Sequence, residues 1–187
     1  MSEPSQNHKL YIVISQTGTC FSKIVKFFTK DPYNHSSISL NKELTDMYSF
    51  GRKYARLPFP GGFVQECIGQ KVFAIHPQTT MIVYELDVTK AQYRKVKKIM
   101  RQMCRDRKTY AYNLLGVAFV AIHKERKADR KYYCSEFVKY ILVESNIIQE
   151  SDLPNMCKPM DFLHVEGTKI YEGKMREYEC NYLLPFM

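Results

Sequence analysis

No apolar run in this sequence approaches the length of a membrane span, so a spanning helix is not expected. The start, MSEPSQNHKL, lacks the basic and then apolar regions of an export signal, and a soluble, cytoplasmic protein is expected. Tryptophan is absent, and the aromatic content of 13% is carried by 14 tyrosines and 11 phenylalanines. No CxxC pair occurs among the six cysteines, and without an export signal these read as free thiols rather than a disulfide framework. Cys67, Cys157 and Cys180 have no histidine or acidic partner at ligand spacing, Cys104 lies in a basic helix and Cys20 near a loop; no zinc site and no cofactor are expected. No repeat, low-complexity segment or linker divides the chain, which leaves residues 1–187 as one α+β domain.

What is present is enough to build a core. The chain has 187 residues, a mass of 22.0 kDa and a hydrophobic fraction of 45%, which is ordinary for a globular protein. The formal charge is +9. Most of the excess lies in Arg94 to Lys108 (RKVKKIMRQMCRDRK) and Lys124 to Lys131 (KERKADRK). Such a face suits an acidic partner, an anionic membrane surface or nucleic acid. No RNA-binding or helix-turn-helix signature accompanies it, so nucleic acid is the least favoured of the three.

Periodicity supplies a coarse map. KLYIVIS is a short β-rich run; the turn QTGT follows, and then FSKIVKFFT, where Phe21, Ile24, Val25 and Phe28 have helical spacing. Pro32 disfavours helix at Asp31. HSSISL predicts a strand with MYSFG as its hairpin partner, LPFPGGF (Leu57 to Phe63) predicts an overhanging loop, and KVFAIHP and MIVYELDV predict a second hairpin around PQTT. Thr89 is placed to cap a helix that turns Tyr93, Val96, Ile99, Met100 and Met103 inward. The apolar AYNLLGVAFVAI comes next, followed by the basic loop and another helix. The tail, from KPMDFL onward, predicts a short helix and then two strands.

The sharpest chemical signal is RKYYCSEFVKYILVES, Arg130 to Ser145. Phe137, Val138, Ile141 and Leu142 fall three, four, seven and eight residues beyond Cys134, which is one helical face. A buried cysteine at such a place is most often an apolar filler. A thiol in the first turn of a helix also meets the positive end of the macrodipole and unpaired N–H groups, both of which favour thiolate. The nucleophile then needs a base. His8 lies near the terminus, His123 borders the basic loop, His76 precedes Pro77 at a strand end, and His164 follows MDFL. His35 opens a strand after a Pro-Tyr-Asn turn, where a side chain can point toward a neighbouring helix end, although an ordinary strand-edge histidine would look the same.

Taken together, YNHSSISL, MYSFG and, about a hundred residues later, YYCSEFVKYIL resemble the circularly permuted branch of the papain-like NlpC superfamily, the bacterial YiiX-like amidases and peptidases. The opening SQTGTCFSKIVKFFTKDPYNH and the tail KPMDFL…IYEG extend the resemblance over nearly the whole chain. It implies an antiparallel sheet packed against helices, with the nucleophile at a helix N-terminus. It also implies Cys134 as nucleophile, His35 as base, and a third polar residue on the strand after the histidine strand, where this chain has Ser49. A serine can accept a bond from imidazole but brings no negative charge. The implied activity is hydrolysis of an amide or ester bond, in a peptide, a cell-wall peptide or a lipid, through an acyl-enzyme on Cys134. The oxyanion would be held in part by the Cys134 N–H, with Gln16 to Ser22 as candidate source of a second donor. Two alternatives stay open: a lipid acyltransferase, because relatives of lecithin:retinol acyltransferase share the permuted order, and a catalytically weak binding module.

Overall fold

The computed structural model describes residues 8–17, 31–54, 57, 60–112 and 130–178. The expected helix around Phe21 to Phe28, the apolar segment beyond Tyr112, the basic loop up to 129, and Cys20, His123 and Cys180 lie outside the described residues.

The organising element is a six-stranded antiparallel sheet. Its strands are β1 (His8–Gln16), β2 (His35–Ser39), β3 (Met47–Arg52), β4 (Gly61–Glu66), β5 (Thr80–Val88) and, after two unequal helices, β8 (Thr168–Lys174). Their spatial order is β4-β3-β2-β1-β5-β8. A separate two-residue parallel pairing joins β6 (Ala111–Tyr112) to β7 (Lys131–Tyr132). Among the described residues the helices with both ends in place are α1 (Val72–Ile75), α2 (Lys90–Arg105) and α3 (Cys134–Glu144).

β1 is the centre because KLYIVIS is apolar on both faces. Leu10, Ile12 and Ile14 point to one side and pack with Ile82 and Leu86 of β5 and with the inward faces of the helices, through Val96, Met100, Phe137, Val138 and Ile141. Tyr11 and Val13 point to the other and join Met47, Phe73, Met81, Val83, Met175 and Tyr178. Each such aliphatic side chain contributes about 1.5–3 kcal/mol when fully buried. The α2 stripe is as predicted: Val96, Met100 and Met103 are buried, and Tyr93 and Ile99 pack half-buried beside them. Its N-terminus closes with the expected Thr89, whose Oγ1 accepts from the Gln92 N–H at 3.2 Å while the Gln92 side chain takes the Thr89 N–H at 2.8 Å.

β2 and β3 form the predicted hairpin, with Ile38 opposite Tyr48 and Ser39 opposite Met47. Three expectations are corrected. KVFAIHP is not a strand: Val72–Ile75 is a single helical turn, and MIVYELDV, inside β5, pairs with β1 and β8 instead. Positive φ at Gly69 and Lys71 turns the chain just before that segment and detaches it from the sheet. The presumed loop through Phe63 ends earlier, because Gly61 already begins β4, which pairs with β3 from Gly61 opposite Arg52 to Glu66 opposite Met47. Gly61 is needed there: a Cβ would stand 2.8 Å from the Cβ of Tyr112, so only glycine lets β6 lie this close. In the tail, the short helix is a 3-10 segment, Pro159–His164, and the first strand is β8. Met175 to Tyr178 then form a helical turn where the second strand was expected to begin.

Candidate active site

α3 carries its stripe inward, with Phe137, Val138, Ile141 and Leu142 all fully buried. An aromatic cluster sets its first turn over β3 and β4: the Phe137 ring lies 5.2 Å from Phe50 and 5.7 Å from Phe63, in the offset and edge arrangements that aromatic pairs favour. Two polar ties hold the opposite side. Ser135 Oγ donates to the Cys157 carbonyl at 2.6 Å, and buried Lys139 donates to the carbonyls of Leu153 and Pro154 at 2.9 and 3.2 Å. Cys134 is therefore held at the helix start, 6% exposed, with its Sγ 3.9 Å from the Asn34 carbonyl at the entry to β2.

The next residue is His35. Its ring is near enough to the Cys134 side chain for each to shift the other's ionisation, and its Nε2 lies 3.2 Å from Glu66 Oε1 and 3.3 Å from Oε2. A carboxylate can only accept, so Nε2 carries the proton and Nδ1 is the nitrogen left for the thiol. The two side chains of the ion pair are 18% and 14% exposed, sheltered from bulk water. Ser37, two residues along β2, donates its hydroxyl to Glu66 Oε2 at 2.6 Å and fixes the carboxylate from the other side.

The electrostatics follow from this chain of contacts. Burial disfavours a charged His35, but the Glu66 carboxylate and the Cys134 sulfur outweigh it and raise the imidazole to about 10. Burial likewise disfavours a Cys134 thiolate. The hydrogen bond and charge of His35, together with the backbone N–H groups of Ser36 and Ser135, reverse that and pull the thiol below its usual range. Glu66 is kept low despite burial, by His35 first and then by the Ser37 and Ser49 hydroxyls. Other thiols go the opposite way: burial pushes up both Cys157 and Cys104. Each group therefore favours the charged form of the other.

Ser49 does not take the place expected for it. It is fully buried on β3, and its Oγ makes no hydrogen bond of standard geometry, to His35 or to anything else described. Its hydroxyl lies close enough to Glu66 to help hold that carboxylate ionised. The acceptor for the imidazole N–H is Glu66, one strand further out and carrying the charge that serine lacks. The signal for it was the acidic end of GGFVQE, hidden because the glycines and prolines before it read as loop. Of the loop Gln16 to Ser22, only Gln16 and Thr17 are described; Gln16 follows Ser15, the register partner of His35, and its Oε1 is buried without a hydrogen-bond partner.

Among the described residues no group of three histidine, cysteine or acidic side chains could hold a metal ion, and no helix is long and apolar enough to cross a membrane. Comparison with protein-family models, with curated proteins and with solved structures finds no match to this chain.

Proposed function

We propose that this protein is a thiol hydrolase of the permuted papain-like type, cleaving an amide or ester bond through an acyl-enzyme on Cys134. The observation that carries the proposal is the single imidazole of His35, beside a helix-end thiol whose ionisation it favours and bonded to a sheltered carboxylate. That is the arrangement of nucleophile, base and orienting group used in acyl transfer.

In the reaction, His35 holds the thiol proton and the Cys134 sulfur attacks the scissile carbonyl carbon. The carbonyl π pair moves to oxygen. N–H groups at the start of α3 are positioned to receive the developing oxyanion, as helix N-termini commonly do. As the intermediate collapses, the bond to the leaving amine or alcohol breaks and His35 returns the proton to it. Water, deprotonated by His35, then attacks the thioester, and the free acid leaves with Cys134 restored. Glu66 keeps the imidazole in the right tautomer and stabilises its charged form throughout. An acceptor amine or alcohol in place of water would make the same machinery an acyltransferase.

Intact-mass analysis after incubation with a panel of activated esters and amides tests this. A single acyl group on wild-type protein, mapped to Cys134 and released as free acid even with abundant amine or alcohol, supports the hydrolase. Transfer of the acyl group to the acceptor would make the acyltransferase the correct reading. A panel that acylates neither the wild type nor Cys134→Ser more than its other thiols would leave a binding module.

A further inference from the structure

The charge on α2 runs in one line. At about 100° per residue, Lys90, Arg94, Lys98, Arg101 and Arg105 fall within a strip about 80° wide on the helix surface. The strip runs from the first residue of the helix to the last, about 22 Å at about 1.5 Å per residue. All five side chains are exposed. The buried Val96, Met100 and Met103 occupy the opposite side, so packing against the core turns the strip outward.

No acid offsets it. The helix contains none, and among the described residues the ion pairs use Lys9, His35, Lys139, Lys158, Lys169 and Lys174, never one of the five. Lys97, beside the strip, is turned over the Tyr93 ring at 5.6 Å. Consecutive cations of the strip stand three or four residues apart, the spacing at which like charges on a helix repel. An anionic partner laid along the strip relieves that repulsion.

The chemistry of the strip selects among anions. It is the outer ridge of a helix and carries no apolar side chain; the large exposed hydrophobic residues among those described, Tyr54, Leu57 and Ile75, all lie off α2. A protein partner would lack the aromatic or aliphatic anchor on which such interfaces centre, and a single-stranded nucleic acid would find no ring to stack on. A bilayer needs neither. Its anionic headgroups diffuse laterally to meet the cations, and a straight ridge touches a plane along its whole length. We infer that α2 docks the protein on an anionic membrane surface, with acidic phospholipid headgroups bound along Lys90 to Arg105 while the apolar side of the helix stays in the core. The attachment is peripheral and electrostatic, and it does not depend on the reading of Cys134 and His35.

Vesicle sedimentation of the full chain tests this, with phosphatidylcholine vesicles that contain or lack phosphatidylserine. Binding is expected only to the anionic vesicles and should weaken as salt rises. The triple variant Lys98→Gln, Arg101→Gln, Arg105→Gln should bind them about a hundredfold more weakly, about fivefold per cation. Glutamine keeps the helix propensity, and urea denaturation checks that the fold is retained; should the triple variant not fold, Arg101→Gln alone is expected to lose about fivefold. Lys169→Gln, Lys174→Gln, Arg176→Gln makes the same change in formal charge away from α2 and should lose less than about fivefold in all. Equal losses in the two triple variants would reduce the effect to net charge and overturn the assignment, as would an absence of binding to phosphatidylserine vesicles. Tighter binding at the same salt to RNA, to duplex DNA or to an acidic peptide would overturn it in favour of that partner.

Discussion

The two long helices among the described residues begin in opposite ways. At the start of α2 the free backbone N–H groups are consumed locally, by Thr89 and Gln92 in a reciprocal cap. At the start of α3 the residue in the capping position is Tyr133, which offers no short side-chain acceptor and makes no side-chain cap bond. Glu136 returns to take the Tyr133 N–H at 3.2 Å, while the N–H of Ser135 helps hold the Cys134 thiol below its usual range. The rest of each helix fits its start. α2 buries one stripe and has no acidic residue among Lys90–Arg105, so every charge on its exposed face is positive. α3 is buried over most of its circumference, even at Lys139. One helix end is finished for stability; the other leaves donors beside a sulfur, where the proposed reaction would develop charge.

That contrast can be broken most severely at the dyad. Cys134→Ala should abolish acyl-enzyme formation, and His35→Ala should slow it by about a hundredfold or more, the usual range for loss of a general base. Trapped acyl-enzyme measured by intact mass checks both, and normal acylation in His35→Ala would remove the base from the account. Glu66→Gln comes next. It keeps the shape but removes the charge that raises His35, so the pH midpoint of Cys134 labelling should move upward by about one unit. The direction follows because a less basic imidazole gives up its charge at lower pH and stabilises the thiolate less.

The structural helix end should respond in the other currency. Thr89→Ala is expected to cost about 1 kcal/mol of stability, seen in urea denaturation, with no change in the rate at which Cys134 is labelled. A shift in reactivity there would couple the two ends and undo the comparison. The smallest effect belongs to Ser49. Its hydroxyl is buried without a standard hydrogen bond, so Ser49→Ala leaves no partner stranded and should be close to neutral in stability, within about 0.5 kcal/mol. A melting curve of that variant sharpens the distinction between Ser49 and Glu66, because a large loss would restore serine as a structural hydrogen-bonding partner.

Much of this was legible in the sequence, for identifiable reasons. The central strand, the α2 stripe with its Thr89 cap, and the helix beginning at Cys134 all have long or strongly periodic patterns that tertiary context does not override. Periodicity located His35 and Cys134 at element boundaries, but it was the resemblance of their flanking motifs to a known family that singled them out. Glu66 could not. It lies two strands from His35 in a sheet whose order only tertiary pairing decides, and the Gly61-Gly62 pair, whose first member admits Tyr112, also disguises β4 as a loop. The single turn at Val72–Ile75 was missed for a related reason: four apolar residues are too few to distinguish a strand from a helical turn.

The central claim is that Glu66, through His35, makes Cys134 a thiolate at a pH where the other thiols are protonated. Brief iodoacetamide labelling from about pH 5 to about pH 9, with the rate at each cysteine read by peptide mass, tests it directly. The account predicts that Cys134 labels on a plateau well below the ordinary thiol pKa of about 8.5, that Cys104 and Cys157 do not, and that Glu66→Gln moves the Cys134 curve toward theirs. A Cys134 curve that rises with the other thiols near pH 8.5, unmoved by Glu66→Gln, would contradict it.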